Sequence, residues 1–111
     1  MNNKLILEKK LLISIIGFLE AIYTNCISIS ESESYIFSPR IVKMMNELNI
    51  SPSIILIIEK GCELEDIESL LPEKLMITVC DLKNEAVNLL MKYEEIDGIS
   101  WIKYSDLWKQ D

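Results

Sequence analysis

The sequence contains no histidine among its 111 residues. Nucleophilic catalysis by a serine or cysteine with a histidine base is therefore excluded, and so is a di-iron bundle, which needs Glu-x-x-His pairs. The three glycines are too widely spaced to build a phosphate-binding loop or a dinucleotide-binding turn. We expect a protein that is not an enzyme and that uses no cofactor and no metal ion.

Glycine, proline and cysteine are scarce, with three of each. Cys26, Cys62 and Cys80 are odd in number and form no Cys-x-x-Cys pair, so neither a disulfide framework nor a zinc site is indicated. We expect buried, reduced thiols. Half of the residues are apolar, which together with few glycines and prolines predicts packed helices in a single domain over residues 1–111.

Long apolar runs are also missing. The run Leu11–Leu19 follows Lys9 and Lys10 as an export signal would, but Glu20 interrupts it and no small-residue cleavage site follows. It is far shorter than the roughly 20 residues of a membrane span. We expect a buried core helix in a cytoplasmic protein with no membrane partner.

Positive charge is in deficit, since 11 basic residues face 18 acidic ones and the net charge is −7. Such a field repels phosphate backbones and attracts basic surfaces. We therefore expect no direct binding of nucleic acid, and a basic protein as the partner.

Apolar spacing and helix-start signals predict an all-α fold, a compact bundle of about five to six helices. Gly17 lies inside the first of them, where close approach of a neighbouring helix is its ordinary explanation. Ser30–Glu33 matches a capping box, while Ser38-Pro39 and Ser51-Pro52 each place a cap serine before a proline at the first helical position. The predicted helices cover about 3–25, a short segment from Ser30, 39–48, 52–60, 63–71 and 73–95.

Two of these helices have distinctive apolar patterns. Residues 54–58 are five consecutive aliphatic residues, four of them β-branched, so a buried strand is an alternative there; the Ser-Pro start and Gly61 at the end favour a helix. The last helix carries a heptad seam, which predicts a long packed helix. The seam consists of Leu75, Val79, Leu82, Ala86, Leu89 and Tyr93.

The C-terminal segment 98–111 holds most of the large aromatic surface, including Trp101 and Trp108. Tryptophans usually bury apolar area in their own domain, so we expect this tail to pack on the bundle. The alternative is that Trp101 or Trp108 anchors a partner.

The stretch Gly61–Pro72 (GCELEDIESLLP) combines acids with large aliphatic residues. A helix there would turn Leu64, Ile67, Leu70 and Leu71 inward and leave the acids in water. Acids in a first helical turn are stabilised by the free amides, which explains part of the pattern. Between residues 59 and 74, however, six acids face two lysines, which indicates a docking surface for a basic partner. The acids are Glu59, Glu63, Glu65, Asp66, Glu68 and Glu73.

Four segments, ISIIGFLEAI, SESYIFSP, LNIS and GCELEDIESLLPEKL, together resemble a group of small acidic bacterial proteins. Some of these are immunity proteins of contact-dependent growth-inhibition systems. The resemblance covers roughly residues 11–93. It implies a protein that binds a cognate toxin C-terminal domain, a basic nuclease acting on transfer RNA, and neutralises it by stoichiometric occlusion. It transfers no contact residue, so the acids above are candidates by charge alone.

Two alternatives come from other classes of protein. The heptad seam and the largely apolar first helix are typical of a helical adaptor or oligomerisation module. A homodimer is compatible with either interpretation. A small carboxylate enzyme would need two acids converging in a pocket.

Overall fold

The computed structural model describes residues 3–96, and Trp101 and Trp108 with the tail 98–111 lie outside this range. Helices make up 78% of the described residues, and these residues contain no strand, which confirms the predicted all-α fold. The helices are α1 (Asn3–Tyr23), α2 (Ile29–Tyr35), α3 (Pro39–Glu47), α4 (Pro52–Gly61), α5 (Leu64–Leu70), a 3-10 turn (Pro72–Lys74) and α6 (Leu75–Leu90).

The prediction of five to six bundle helices is only partly right. Four helices of nine residues or more, α1, α3, α4 and α6, form the bundle. The helices α2 and α5 have seven residues each and lie in the connections between the longer ones. Helices this short depend on tertiary packing for their stability, because nucleation is costly in isolation.

The bundle is organised around α1 and α6, which pack along each other in antiparallel directions. Lys9 Nζ donates to the carbonyl of Glu94 (2.6 Å) near one end, and Lys83 pairs with Glu20 (2.7 Å) near the other. The seam residues of α6 from Leu75 to Ala86 are buried against the core, so the predicted heptad seam is confirmed as an internal packing face. Between residues 3 and 96, no helix combines the length and apolar character needed to span a bilayer.

Two predicted helix starts keep their register and one shifts. The Ser38 hydroxyl accepts from the Ile41 amide (3.3 Å), as expected of a cap. The first capping serine is Ser28, whose hydroxyl accepts from the Glu31 amide (3.0 Å), so the prediction of Ser30 was wrong by two residues. Starting at Ser28 puts Ile29 into the core, which offsets the cost of ordering so short a helix.

The segment 54–58 is helical, as part of α4, and four of its five residues are buried. Leu56 is the exception and is 50% exposed. The Ser51 hydroxyl does not cap α4. Instead, the Ser51 amide donates to Oε2 of Glu8 (2.7 Å), a buried carboxylate on α1 that fixes the start of α4.

The structure corrects two expectations, that a helix closely approaches Gly17 and that the three thiols are buried. A Cβ added to Gly17 would meet nothing within 4 Å, so no neighbouring helix approaches it. Cys26 is exposed, while Cys62 and Cys80 are half-buried, so the thiols are free but not buried as expected. Cys26 lies in the bend after α1, and Cys62, at the end of α4, packs against the edge of the core without being enclosed by it.

Candidate functional site

The acidic stretch Gly61–Pro72 begins at the end of α4, where Gly61 packs against Phe37. An ideal Cβ on Gly61 would lie 2.6 Å from Cε1 and 2.7 Å from Cγ of Phe37, whose side chain is 1% exposed. Only a residue without a side chain fits there. Gly61 therefore ends α4 against the α2–α3 connection and fixes where Cys62 and α5 begin.

A single buried anchor orients α5. Leu64 is fully buried and Ile67 is half-buried, so one stripe of the helix faces the core. Glu63, Glu65 and Asp66 consequently lie in solvent, as the sequence predicted. The α5 helix packs beside α2, which brings α2 side chains to the same surface.

Glu33 on α2 joins the acids of α5, although it is not among the site residues that the sequence predicts. A side-chain hydrogen bond with Glu65 raises the pKa of Glu33 above its ordinary value, and burial and the charges of Glu65 and Asp66 raise it further. Two carboxyl groups joined by a hydrogen bond share a proton more readily than two isolated ones. Ser-Glu-Ser-Glu in α2 was the available signal, but only tertiary packing sets Glu33 beside Glu65.

Cys62 lies at the centre of this cluster. Burial raises the pKa of its thiol, and the negative charges of Glu33, Glu59 and Glu63 raise it further. The thiol is therefore kept protonated and is a poor nucleophile, in contrast to reactive cysteines in electropositive surroundings. We call Glu33, Glu59, Glu63, Glu65 and Asp66 the acidic surface.

The acidic surface has no cationic partner in the described helices. The ion pairs there join Lys60 to Glu85 (3.4 Å) and Lys83 to Glu20 (2.7 Å). Within residues 3–96, no lysine or arginine forms an ion pair with the acidic surface. Lys60, the basic residue next to it in sequence, is occupied by an acid of α6. Among residues 3–96, the charges of the exposed Glu59, Glu63, Glu65 and Asp66 are therefore not neutralised by an ion pair.

Two of the predicted acids lie apart from this cluster. Glu68 is exposed and lines a separate depression of about 410 Å³ together with Glu31 and Leu75. Glu73 is exposed in the 3-10 turn. The structure thus brings together four of the six predicted acids, Glu59, Glu63, Glu65 and Asp66. Trp101 and Trp108, the other candidates, lie outside the described residues.

The prediction that Leu70 and Leu71 face inward is wrong. Leu70 is 76% exposed and Leu71 is 46% exposed. The reason is the length of α5: it ends at Leu70, and Leu71 leaves the helix with φ −140° and ψ 59°. A helix that stops after two turns cannot carry its buried stripe further.

A second polar group is buried on the opposite end of α6. Glu8 is 4% exposed, and its Oε1 accepts from the Tyr93 hydroxyl (2.9 Å) while Oε2 accepts from the Ser51 amide. Burial, the hydrogen bond to Glu8 and its charge raise the pKa of Tyr93 to about 12. This network joins α1, the start of α4 and the end of α6, so it is structural.

The chemistry available at the acidic surface is that of charge recognition. Across residues 3–96, no three His, Cys, Asp or Glu side chains gather into a group that could hold a metal ion. Exposed carboxylates on a short, fixed helix can pair with lysine and arginine side chains of another protein. The arrangement therefore fits a protein-binding surface.

Comparison with known proteins identifies the family of this chain. A family model described as "Protein of unknown function (DUF3969)" matches residues 2–103, so the chain belongs to that family. No curated protein and no solved structure matches the chain.

Proposed function

We propose that this member of the DUF3969 family is a cytoplasmic immunity protein that binds and neutralises a cognate toxin domain by stoichiometric occlusion. It acts by binding, without catalysis and without a cofactor. One observation carries the proposal: on a chain of net charge −7, the acidic surface forms no ion pair within residues 3–96. The resemblance in ISIIGFLEAI and GCELEDIESLLPEKL supports the same class of protein.

The toxin that fits this surface is a basic nuclease acting on transfer RNA. A nuclease must hold polyphosphate with lysine and arginine, and an acidic protein surface competes for those same side chains. Complementary charge also speeds encounter, with association rates up to about 10⁸–10⁹ M⁻¹s⁻¹ at low salt. Fast capture protects a cell whose own toxin would otherwise cut its transfer RNA.

The alternative, a helical adaptor or oligomerisation module, has lost its main support. The heptad seam that suggested it packs against α1 within the same chain. An intermolecular coiled coil would have to break this packing, which buries Leu75, Val79, Leu82 and Ala86. Glu59, Glu63, Glu65 and Asp66, by contrast, are exposed, so binding at the acidic surface requires no rearrangement of helices α1–α6.

The test is co-purification with the C-terminal domain of a large secreted protein encoded immediately upstream, followed by growth assays. We expect a stable one-to-one complex, growth arrest when the toxin domain is expressed alone, and restored growth when both proteins are expressed. An active toxin domain that neither binds this protein nor is neutralised by it would refute the proposal.

A further inference from the structure

An exposed apolar segment lies directly beside the acidic surface. Residues 68–74 are seven consecutive exposed residues, and they include Leu70 (76% exposed) and Leu71 (46% exposed). Ile77, on the first turn of α6, is 65% exposed. Two large aliphatic residues in succession at such exposure are not needed to hold α5, because Leu64 already anchors it. Contiguous exposed apolar residues rimmed by polar ones are typical of interaction sites.

Helix geometry places Leu70 next to the acids. Asp66 and Leu70 are four residues apart on α5, so their side chains are neighbours on the helix surface. Asp66 in turn lies close enough to Glu33 to raise its pKa. An apolar centre therefore adjoins a negatively charged rim, which is the layout of a protein–protein interface with a central anchor.

We propose that Leu70 and Leu71 form the apolar anchor of the binding surface and that their occupant is a protein surface with an exposed apolar side chain flanked by lysines or arginines. The inference rests on the proposed function for the partner's identity and adds the chemistry of contact. Charge complementarity selects this occupant. A second copy of the chain would bring two acidic surfaces together, and an anionic membrane would be repelled.

The leucines and the acids contribute differently, which makes the proposal testable. The leucines contribute contact area, so their removal raises the dissociation rate at every salt concentration. The acids contribute long-range attraction, so their removal mainly slows association and flattens the salt dependence. A surface with both components should show both signatures.

The first arm uses the toxin domain encoded upstream and isothermal titration calorimetry. The variant L70S/L71S should bind at least tenfold more weakly than the wild type, with an unchanged slope of affinity against salt. The matched control is Leu5→Ser, since Leu5 is 47% exposed on α1 and lies beside Leu89 and Tyr93, away from the acidic surface, and it should bind as the wild type does. Wild-type affinity in L70S/L71S would overturn the anchor and leave the proposed function standing.

The second arm decides the inference even if no toxin binds. The probe is a synthetic amphipathic helical peptide of leucine and lysine, and amide shifts of the wild type are mapped by NMR. We expect shifts centred on residues 63–77 that disappear in L70S/L71S and persist in Leu5→Ser. Shifts elsewhere, or shifts that survive L70S/L71S, would overturn the proposal. Binding of wild type to phosphatidylglycerol vesicles through the same leucines would overturn the choice of a protein partner.

Discussion

Replacing Gly61 by alanine tests how the bundle positions the acidic surface. The added Cβ would lie 2.6 Å from Cε1 and 2.7 Å from Cγ of Phe37. The ring is buried, at 1% exposure, so it cannot swing into solvent. Overpacking of a core site costs about 1–3 kcal/mol, and the gain in helix propensity is at most about 1 kcal/mol because Gly61 is the last residue of α4. We expect a net loss of about 1–2 kcal/mol in the free energy of unfolding.

The chain supplies its own matched control at Gly17. This glycine is exposed in the interior of α1, and an added Cβ would meet nothing within 4 Å. Gly17→Ala should therefore stabilise the protein by about 0.5–1 kcal/mol, because alanine loses less backbone entropy in a helix.

Urea unfolding followed by far-ultraviolet circular dichroism measures both variants against the wild type. The two identical substitutions should shift the midpoint in opposite directions with the same slope. If Gly61→Ala matched or exceeded Gly17→Ala in stability, the close contact with Phe37 would not exist, and the explanation of where α5 begins would fail.

Three further predictions concern polar groups. Tyr93→Phe should lower the free energy of unfolding by about 1.5–3 kcal/mol, because the buried Glu8 loses a hydrogen-bond donor. The folded pKa of Tyr93 is about 12, above the ordinary 10.0, so wild-type stability should fall as pH rises from 10 to 12. Urea unfolding should show this fall in the wild type and not in the variant. Glu65→Gln should lower the pKa of Glu33 toward 4.5, which a carboxyl NMR titration measures. Wild-type stability falls as pH rises through the raised pKa of Glu33, and unfolding curves should show a smaller fall in the variant. An unchanged titration would contradict the pairing of Glu33 with Glu65. Asn49 has a φ of 56°, in the left-handed region, so Asn49→Gly should keep the wild-type stability while Asn49→Ala should lose about 1 kcal/mol in thermal unfolding. Equal stability of the two variants would contradict the left-handed conformation of Asn49.

Local signals predicted most of the fold. Ser38-Pro39 and Ser51-Pro52 placed α3 and α4 correctly, because proline fits the first helical position wherever the helix packs; the Ser38 hydroxyl also caps α3, whereas that of Ser51 does not cap α4. The stretch ISISESES contains the Ser-x-x-Glu pattern twice, at Ser28 and at Ser30, and the choice between them depends on burial of Ile29 in a core that no local pattern reveals.

The candidate site was predicted less completely, because it depends on contacts between distant segments. Glu33 reaches Glu65 only through the packing of α2 beside α5. Leu70 fits the inward spacing of a longer helix, and its exposure follows from the early end of α5. Glu8 looked like an ordinary charged residue of α1, since its partners Ser51 and Tyr93 are 43 and 85 residues away.

The central claim is that the acidic surface binds a basic toxin domain, and its most direct test is the affinity of a charge-reversed variant across a range of salt concentrations. Glu63, Glu65 and Asp66 are exposed, so their replacement by lysine leaves the core intact. The matched control reverses Glu47, Asp81 and Glu95, which are also exposed and produce the same change in net charge.

Titration calorimetry with the upstream toxin domain should show that E63K/E65K/D66K binds at least a hundredfold more weakly than the wild type at low salt, with a flattened salt dependence. The control should retain most of the affinity. Equal losses in the two variants would mean that net charge alone drives binding, and an undiminished affinity in E63K/E65K/D66K would contradict the acidic surface as the binding site.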